Sequence, residues 1–423
     1  MAADVLLGMQ WGDEGKGKIV DFIAPKYNVV ARFQGGPNAG HTLVFDGIKH
    51  VLHQIPSGIF HPGIKNIIGN GVVLDALTFR NEISKLTERG IDARSNLYIS
   101  KRTALILPTH RLLDAGAEKA RGTNKIGSTL KGIGPAYEDK YARKGLRVGD
   151  LLSSQFNEKY RYLRDSHLAA LKTSGFDSGD LDALEADFFS AIEFLKTFNI
   201  TDTEYMVNHA LAAGETILAE GAQGALLDID FGSYPFVTSS TTMAAGACTG
   251  LGIAPGKIGR VFGIFKAYCT RVGSGPFPTE LNEETGEAIR KEGNEFGSTT
   301  GRPRRTGWLD LPALRYACMI NGATSLMMMK ADVLNIFEEI KVCTAYKLAD
   351  GSETDRLPYD LTAENPEPVY TTLAGWNCSL DGINTYDDLP GALKEYVLFI
   401  EKAVGIPVQL ISTGPDRVQT IMR

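Results

Sequence analysis

The most constraining stretch of the chain lies near its start. A short apolar run, ADVLLGM (3–9), meets a glycine-rich loop, QWGDEGKGK, which runs into KIVDFIAPK. Strand, tight loop and helix in that order form the opening half of a βαβ unit. Such units commit a chain to a parallel sheet covered by helices. Gly12, Gly17 and Lys18 fit the spacing G-x-x-x-x-G-K of a phosphate-binding loop. Backbone N–H groups at such a turn form an anion site, and Lys16 and Lys18 add positive charge. Two features depart from the pattern. The residue after Lys18 is Ile19, where a Ser or Thr hydroxyl would hold magnesium, and two carboxylates, Asp13 and Glu14, sit inside the loop. Carboxylate oxygen suits magnesium, so Asp13 can replace the missing ligand. The competing reading is an ordinary strand–helix turn with capping carboxylates.

The rest of the chain repeats the alternation. NVVARF (28–33), SNLYIS, ETILAEGA, GRVFGIFKAY, SLMMMKADVL and PVQLISTGP read as buried strands. VLDALTFRNEISKLTERG reads as a helix capped by Asp75 and ended by Gly90, with Phe79, Ile83 and Leu86 on one face. In the helix-rich segment 151–215, Leu181, Leu184, Phe188, Ile192 and Leu195 fall at helical spacing, and Thr201 with Glu204 has a capping-box pattern. The expected fold is α/β. A large, mainly parallel central sheet is flanked by helices, with a P-loop-like phosphate loop after the first strand and a helix-rich insertion around 151–215. No repeat, linker or composition break divides the chain, so residues 1–423 are expected to form one domain.

Composition narrows the function. A formal charge of −6 gives no global basic field for nucleic acid. Five scattered cysteines without a C-x-x-C pair argue against a disulfide scaffold and a zinc site. His50 and His53 read as ordinary polar residues. With no signal peptide expected from MAADVLLGMQ and no apolar run long enough to span a bilayer, the expected compartment is reducing and cytoplasmic.

The chemistry concentrates in glycine-rich loops after predicted strands, the end of a parallel sheet where ligands bind. QGGPNAGHT (34–42) carries Asn38 and His41. His41 and Asp13 each follow a strand, so two titratable groups can meet for acid–base work. EGAQG offers the Gln223 amide. TSSTTMAAGACTG (238–250) suits phosphate contact or close helix packing equally. GSTTGRPRRTGWLD (297–310) sets three arginines among small polar residues, a pattern for binding carboxylate or phosphate. Lys330 and Asp332 end an apolar strand, where a carboxylate can accept two N–H bonds from a guanine edge; alone, K-x-D is common.

Together these stretches, with KGIGPAYEDK, YPFVTSS and STGPDR, resemble the adenylosuccinate synthetase family from residue 4 to residue 423, in that family's order. The resemblance implies a ligase that joins L-aspartate to IMP at the expense of GTP, through a 6-phosphoryl-IMP intermediate, with magnesium, as a cytoplasmic homodimer. It implies Asp13 as the base at N1 of the hypoxanthine, with His41, Lys16 and Gln223 completing the catalytic set. Gly12, Asp13, Glu14, Gly15, Lys16, Gly17, Lys18, Gly40, His41 and Thr42 would hold GTP phosphates. Arg304, Lys330, Ala331, Asp332, Ser412, Thr413 and Gly414 would hold the rest of GTP. Asp13, Lys16, Asn38, Ala39, Gly40, His41, Thr129, Gln223, Thr238 and Arg302 would contact IMP, with Arg143 reaching across from the other subunit. Ser298, Thr299, Thr300, Gly301, Arg302 and Arg304 would bind aspartate. Asp13 and the Gly40 carbonyl would bind magnesium. Loops 42–53, 121–131 and 298–304 are expected to move on binding. Two other classes remain open on the residues alone: a P-loop kinase or NTPase, and a nucleotide-binding module without catalysis.

Overall fold

The computed structural model describes residues 2–45, 47–123, 125–297 and 301–423. Ten strands form the central sheet. From one edge they run Thr420–Met422, Val408–Ser412, Ser325–Met329, Ile258–Lys266, Ala3–Gly8, Ile217–Glu220, Val29–Arg32, Lys65–Ile68, Leu97–Ser100 and Asn199–Thr201. Neighbours pair in parallel except at the first edge, where Val408–Ser412 and Thr420–Met422 are antiparallel. The central strands are continuous apolar runs because both faces are covered. Leu6, Val30, Leu218, Ile264, Met327 and Leu410 pack on one face with Ile19, Val20 and Ile23 of the first helix. Their sequence neighbours, including Val5, Leu7, Ala31, Ala219 and Phe265, belong to the core on the opposite face.

The chain begins in the middle of this sheet. It builds outward on one side as far as Asn199–Thr201, returns to insert Ile217–Glu220 beside the first strand, then builds out on the other side. Strand order therefore reverses at Ala3–Gly8. Loops leaving the carboxyl ends of strands diverge at such a point and leave a crevice, and the glycine loop opens into it.

The expected elements form with small shifts at their ends. The first helix is Lys16–Ile23, continued by a single 3₁₀ turn. Asp75 caps Ala76–Thr87 by accepting from the Thr78 N–H at 2.7 Å. The helix-rich segment contains Phe156–Thr173, Leu181–Leu195 and Thr203–Ala212. In the second of these Phe188, Ile192 and Leu195 are buried, but Leu184 faces solvent. The capping box at Thr201 does not form. Thr201 ends the edge strand opposite Ser100, Asp202 takes the cap position, and Glu204 pairs with Arg102 at 2.7 Å. Strand pairing thus overrides the local capping pattern. Among the described residues, no helix is long and apolar enough to cross a membrane.

Candidate active site

The glycine loop turns through left-handed backbone at Gly12, Asp13 and Gly15 (φ 85°, 58° and 96°) before the helix begins at Lys16. Its two carboxylates divide the work. Glu14 is fully buried and folds the loop over itself, accepting from the N–H groups of Gln10 (3.2 Å) and Gly12 (2.9 Å) and pairing with Lys16. Asp13 stays at the mouth, about one-third exposed at 31%, and accepts from Arg304 Nε at 2.8 Å. Gly17 permits a close approach: a Cβ there would lie 2.8 Å from His41 Cβ. Lys18 departs from its P-loop assignment. Its ammonium donates to Ser412 Oγ (2.7 Å) and to the carbonyls of Gly414 (2.7 Å) and Gln419 (2.8 Å). Burial lowers its pKa to about 8 against the opposing pull of Asp332 and Asp416.

Beside the loop, three strand-end residues position one another. His41 Nδ1 lies 2.6 Å from Glu220 Oε1. Glu220 also accepts from Ser57 N–H (2.8 Å) and Ser57 Oγ (2.7 Å), and it pairs in strand register with Arg32. Burial alone would raise the Glu220 pKa, but His41, Arg32 and Ser57 outweigh it and hold the carboxyl below its usual value. Burial, then Arg32 and Lys16, lower His41 to about 4 despite Glu220. The imidazole is therefore neutral near pH 7. Nδ1 carries the proton toward the carboxylate, and Nε2 has no partner. Residue-pattern reasoning missed Glu220, Ser57 and Arg32. A signal was present: VVAR and ILAE are buried runs that end in a charge at the ligand end of the sheet.

A further missed residue is Glu295, fully buried behind Asp13. Its Oε2 accepts from Arg304 Nη1 at 2.6 Å, and its Oε1 accepts from Lys266 (2.8 Å) and Tyr268 OH (2.5 Å), with Lys330 Nζ at 3.4 Å. Burial pushes this carboxyl up, but Lys266, Lys330 and Arg304 bring it well below the ordinary range. Burial lowers Lys266 to about 8, with Glu295 opposing. Glu295 thus ties the arginine loop to the strand-end lysines.

The remaining nominated residues fall around the same loops. Asn38 Oδ1, both amide atoms of Gln223 and Asp332 Oδ1 are buried without hydrogen-bond partners. Ala331, Ser412 and Thr413 are buried, and Ala39 carries a contact from His53 Nδ1 to its carbonyl at 2.6 Å. Gly40, Thr42 and Thr238 are half-buried. Thr129 and Arg143 are exposed near the two ends of Ile133–Tyr141, the helix whose Tyr137 OH meets Gly35 N–H (3.2 Å) and the Gly71 carbonyl (2.7 Å). Gly301 and Arg302 are exposed, and Gly297 N–H donates to the Arg302 carbonyl at 2.8 Å. Ser298, Thr299 and Thr300 lie outside the described residues. Backbone strain marks the same places. Among the described residues, the non-glycine, non-asparagine positions with positive φ are Asp13, Leu130, Arg143, Gln223 and Lys330, four of them nominated site residues and Leu130 adjacent to another.

Three side chains of metal-ligating type, His110, Asp139 and His167, meet elsewhere. The Leu107 N–H donates to His110 Nδ1 (2.9 Å) and Thr109 Oγ1 lies 2.7 Å from His167 Nδ1, so each Nε2 keeps its proton for Asp139 Oδ2 (2.9 and 2.8 Å). With those nitrogens committed, the cluster is a polar tie between helices.

A phosphate-type loop at a switch point, ringed by unpaired polar groups on neighbouring strand ends, defines an α/β enzyme that works on nucleotides. The adenylosuccinate synthetase family model matches residues 5–421. The chain is 63% identical to adenylosuccinate synthetase of Cytophaga hutchinsonii, covering all of this chain and 98% of that one, and 60% identical to the Flavobacterium psychrophilum enzyme over the whole of both. Its fold superposes on that of fully ligated adenylosuccinate synthetase from Plasmodium falciparum with a TM-score of 0.93, at 37% identity over the whole of both chains. The chain belongs to the adenylosuccinate synthetase family. It is a GTP-dependent ligase that forms a C–N bond in purine (AMP) biosynthesis, with IMP, aspartate and GTP as substrates.

Proposed function

We propose that the crevice runs the ligation in two steps, with the division of labour the resemblance implies. O6 of IMP attacks the γ-phosphorus of GTP while the N1 proton passes to Asp13, and GDP leaves. The aspartate amine then attacks C6, the C6–O6 bond breaks, and phosphate departs as the amine gives up a proton. Phosphorylation comes first because an oxygen on the purine ring is a poor leaving group and a phosphate is a good one. A carboxylate is a weaker base than the anion it creates at N1, so proton removal needs positive charge close by. Lys16 supplies such charge from the same loop once it turns from Glu14, its partner in this structure. His41 Nε2 faces the phosphoryl group, and Gln223 and Asn38 hold the base and its neighbours through amides that have no protein partner. Gly301, Arg302 and Arg304, with Ser298, Thr299 and Thr300, take the aspartate carboxylates. Arg304 must release Asp13 for that, since it now spans Asp13 and Glu295.

Magnesium fits this site. The Asp13 carboxylate and the Gly40 carbonyl are hard oxygen donors, and a pair of protein ligands is usual when phosphates and water complete the shell. When bound, the ion would offset charge on the transferring phosphoryl group. Exposed Arg143 suits a role in a homodimer, reaching the partner copy's IMP phosphate. The whole chain acts as one domain, in the cytoplasm.

The observation that carries this reading is the set of buried, unpaired polar atoms on Asn38, His41, Gln223 and Asp332, all in segments that follow the carboxyl ends of sheet strands. Unpaired buried groups are costly unless a ligand uses them. The test is an absorbance assay for adenylosuccinate with IMP labelled with ¹⁸O at O6. All three substrates should be required, and the label should appear in phosphate. Label released into water, with none in phosphate, would sink the two-step reading.

A further inference from the structure

We propose that Lys18, the lysine of the P-loop spacing, serves the nucleobase rather than the phosphates: it is a positioning residue that sets selectivity for guanine. The proposal rests on the reading of residues 412–414 and Asp332 as the guanine pocket. All three N–H bonds of its ammonium are spent on one segment, at Ser412 Oγ, the Gly414 carbonyl and the Gln419 carbonyl, with the side chain 5% exposed. An ammonium has three donors, so none is left for a phosphate. The same helix adds a second hold one turn on. Buried Asp21 binds Arg417 bidentately at 2.6 and 2.8 Å. The segment 412–420 is therefore clamped to the phosphate-loop helix from both of its ends. Within it, Ser412 Oγ lies 3.1 Å from the Gly414 carbonyl, and Gln419 Oε1 accepts from Asp416 N–H at 3.0 Å. Near enough to act on the Lys18 charge, Asp332 presents a buried carboxylate oxygen with no partner. A carboxylate reads guanine through N1–H and the 2-amino group, and it can do so only if the opposite wall holds the ring in place.

The experiment compares GTP with ITP, which lacks the 2-amino group, in Lys18→Met and Lys18→Arg. Asp332→Asn serves as the control for the pocket. Both Lys18 variants should raise the KM for GTP by about tenfold, keep kcat within about threefold, and leave the KM values for IMP and aspartate unchanged. The KM for ITP should rise less, so the preference for GTP over ITP falls. A lysine on the phosphates would weaken GTP and ITP equally; an unchanged ratio, with Asp332→Asn lowering it, overturns the proposal. If Asp332→Asn also leaves the ratio unchanged, the pocket has been misplaced and the proposal falls with it. Lys18→Arg keeps the charge but cannot place its donors on all three oxygens, and it carries the test if Lys18→Met fails to fold.

Discussion

Replacing Glu220 with Gln alters a charge and almost nothing in size, so its effect can be worked out from contacts. Glu220 Oε1 serves His41 Nδ1 and Ser57 Oγ, and Oε2 serves the Ser57 N–H. A Gln can keep the first pair of contacts but then turns its own N–H₂ toward the Ser57 N–H, leaving a buried donor unpaired at a cost of ~1–3 kcal/mol. Arg32 suffers more. Its guanidinium is fully buried without a hydrogen bond, and Glu220 is the main anion opposing its desolvation. Leaving that buried charge without its opposing anion costs ~3–5 kcal/mol, the scale set by removing one partner of a buried pair. The two losses share a site and do not simply add, so the expected destabilisation is ~3–5 kcal/mol. Unfolding entropy grows with chain length, so in a chain of this size that lowers Tm by only roughly 3–6 °C. His41 also loses the acceptor that fixes its tautomer, so kcat should fall by at least about tenfold while the three KM values stay within about threefold. Differential scanning calorimetry and steady-state kinetics on the same preparation read both. A Tm and a kcat both unchanged would refute the view of Glu220 as the group that holds His41 and balances Arg32.

Other outcomes follow from the same geometry. Gly17→Ala forces a Cβ into His41 Cβ and backbone, which cannot swing away, so kcat should fall about tenfold or more with the fold retained by circular dichroism. Glu295→Gln frees Arg304 and leaves buried Lys266 without its counter-ion, so the KM for aspartate should rise and denaturant stability drop by ~3 kcal/mol or more. The pH dependence has a definite sign. His41 titrates at about 4 in the fold against an ordinary 6.5, so between those values the unfolded chain binds a proton that the folded chain does not. Its contribution is free of penalty above pH 6.5 and becomes destabilising as pH falls toward 4. The stability lost between pH 7 and 4.5 should therefore be smaller in His41→Asn than in the parent chain, as read by urea unfolding at the two values.

Much of the sheet could be read from the residues because parallel strands buried on both faces are continuous apolar runs, as in VVAR and SLMMM. Helix starts were readable where a cap is local, as at Asp75, and misread at Thr201, where pairing with Ser100 claims the backbone. The glycine loops after Ala3–Gly8, Val29–Arg32 and Ile217–Glu220 announced the crevice, since each leaves the carboxyl end of a sheet strand. The supporting charges were harder. Arg32, Glu220 and Lys266 each end an apolar strand, yet their roles depend on which strands become neighbours, and the jump from Val29–Arg32 to Ile217–Glu220 is not local. Glu295 gave no signal at all, because its partners Lys266, Arg304 and Lys330 come from separate elements. Lys18 shows the opposite failure. Its spacing matches a phosphate lysine, but three acceptors some 400 positions away take its ammonium.

The central claim is that Asp13 removes the N1 proton of IMP, and Asp13→Asn tests it most directly. The variant keeps size and hydrogen-bonding reach but cannot act as a base. GTP and IMP should bind within a few-fold of the parent affinities by calorimetry, while adenylosuccinate formation falls by about a thousandfold or more. Turnover near the parent rate, with both nucleotides bound, would contradict the account.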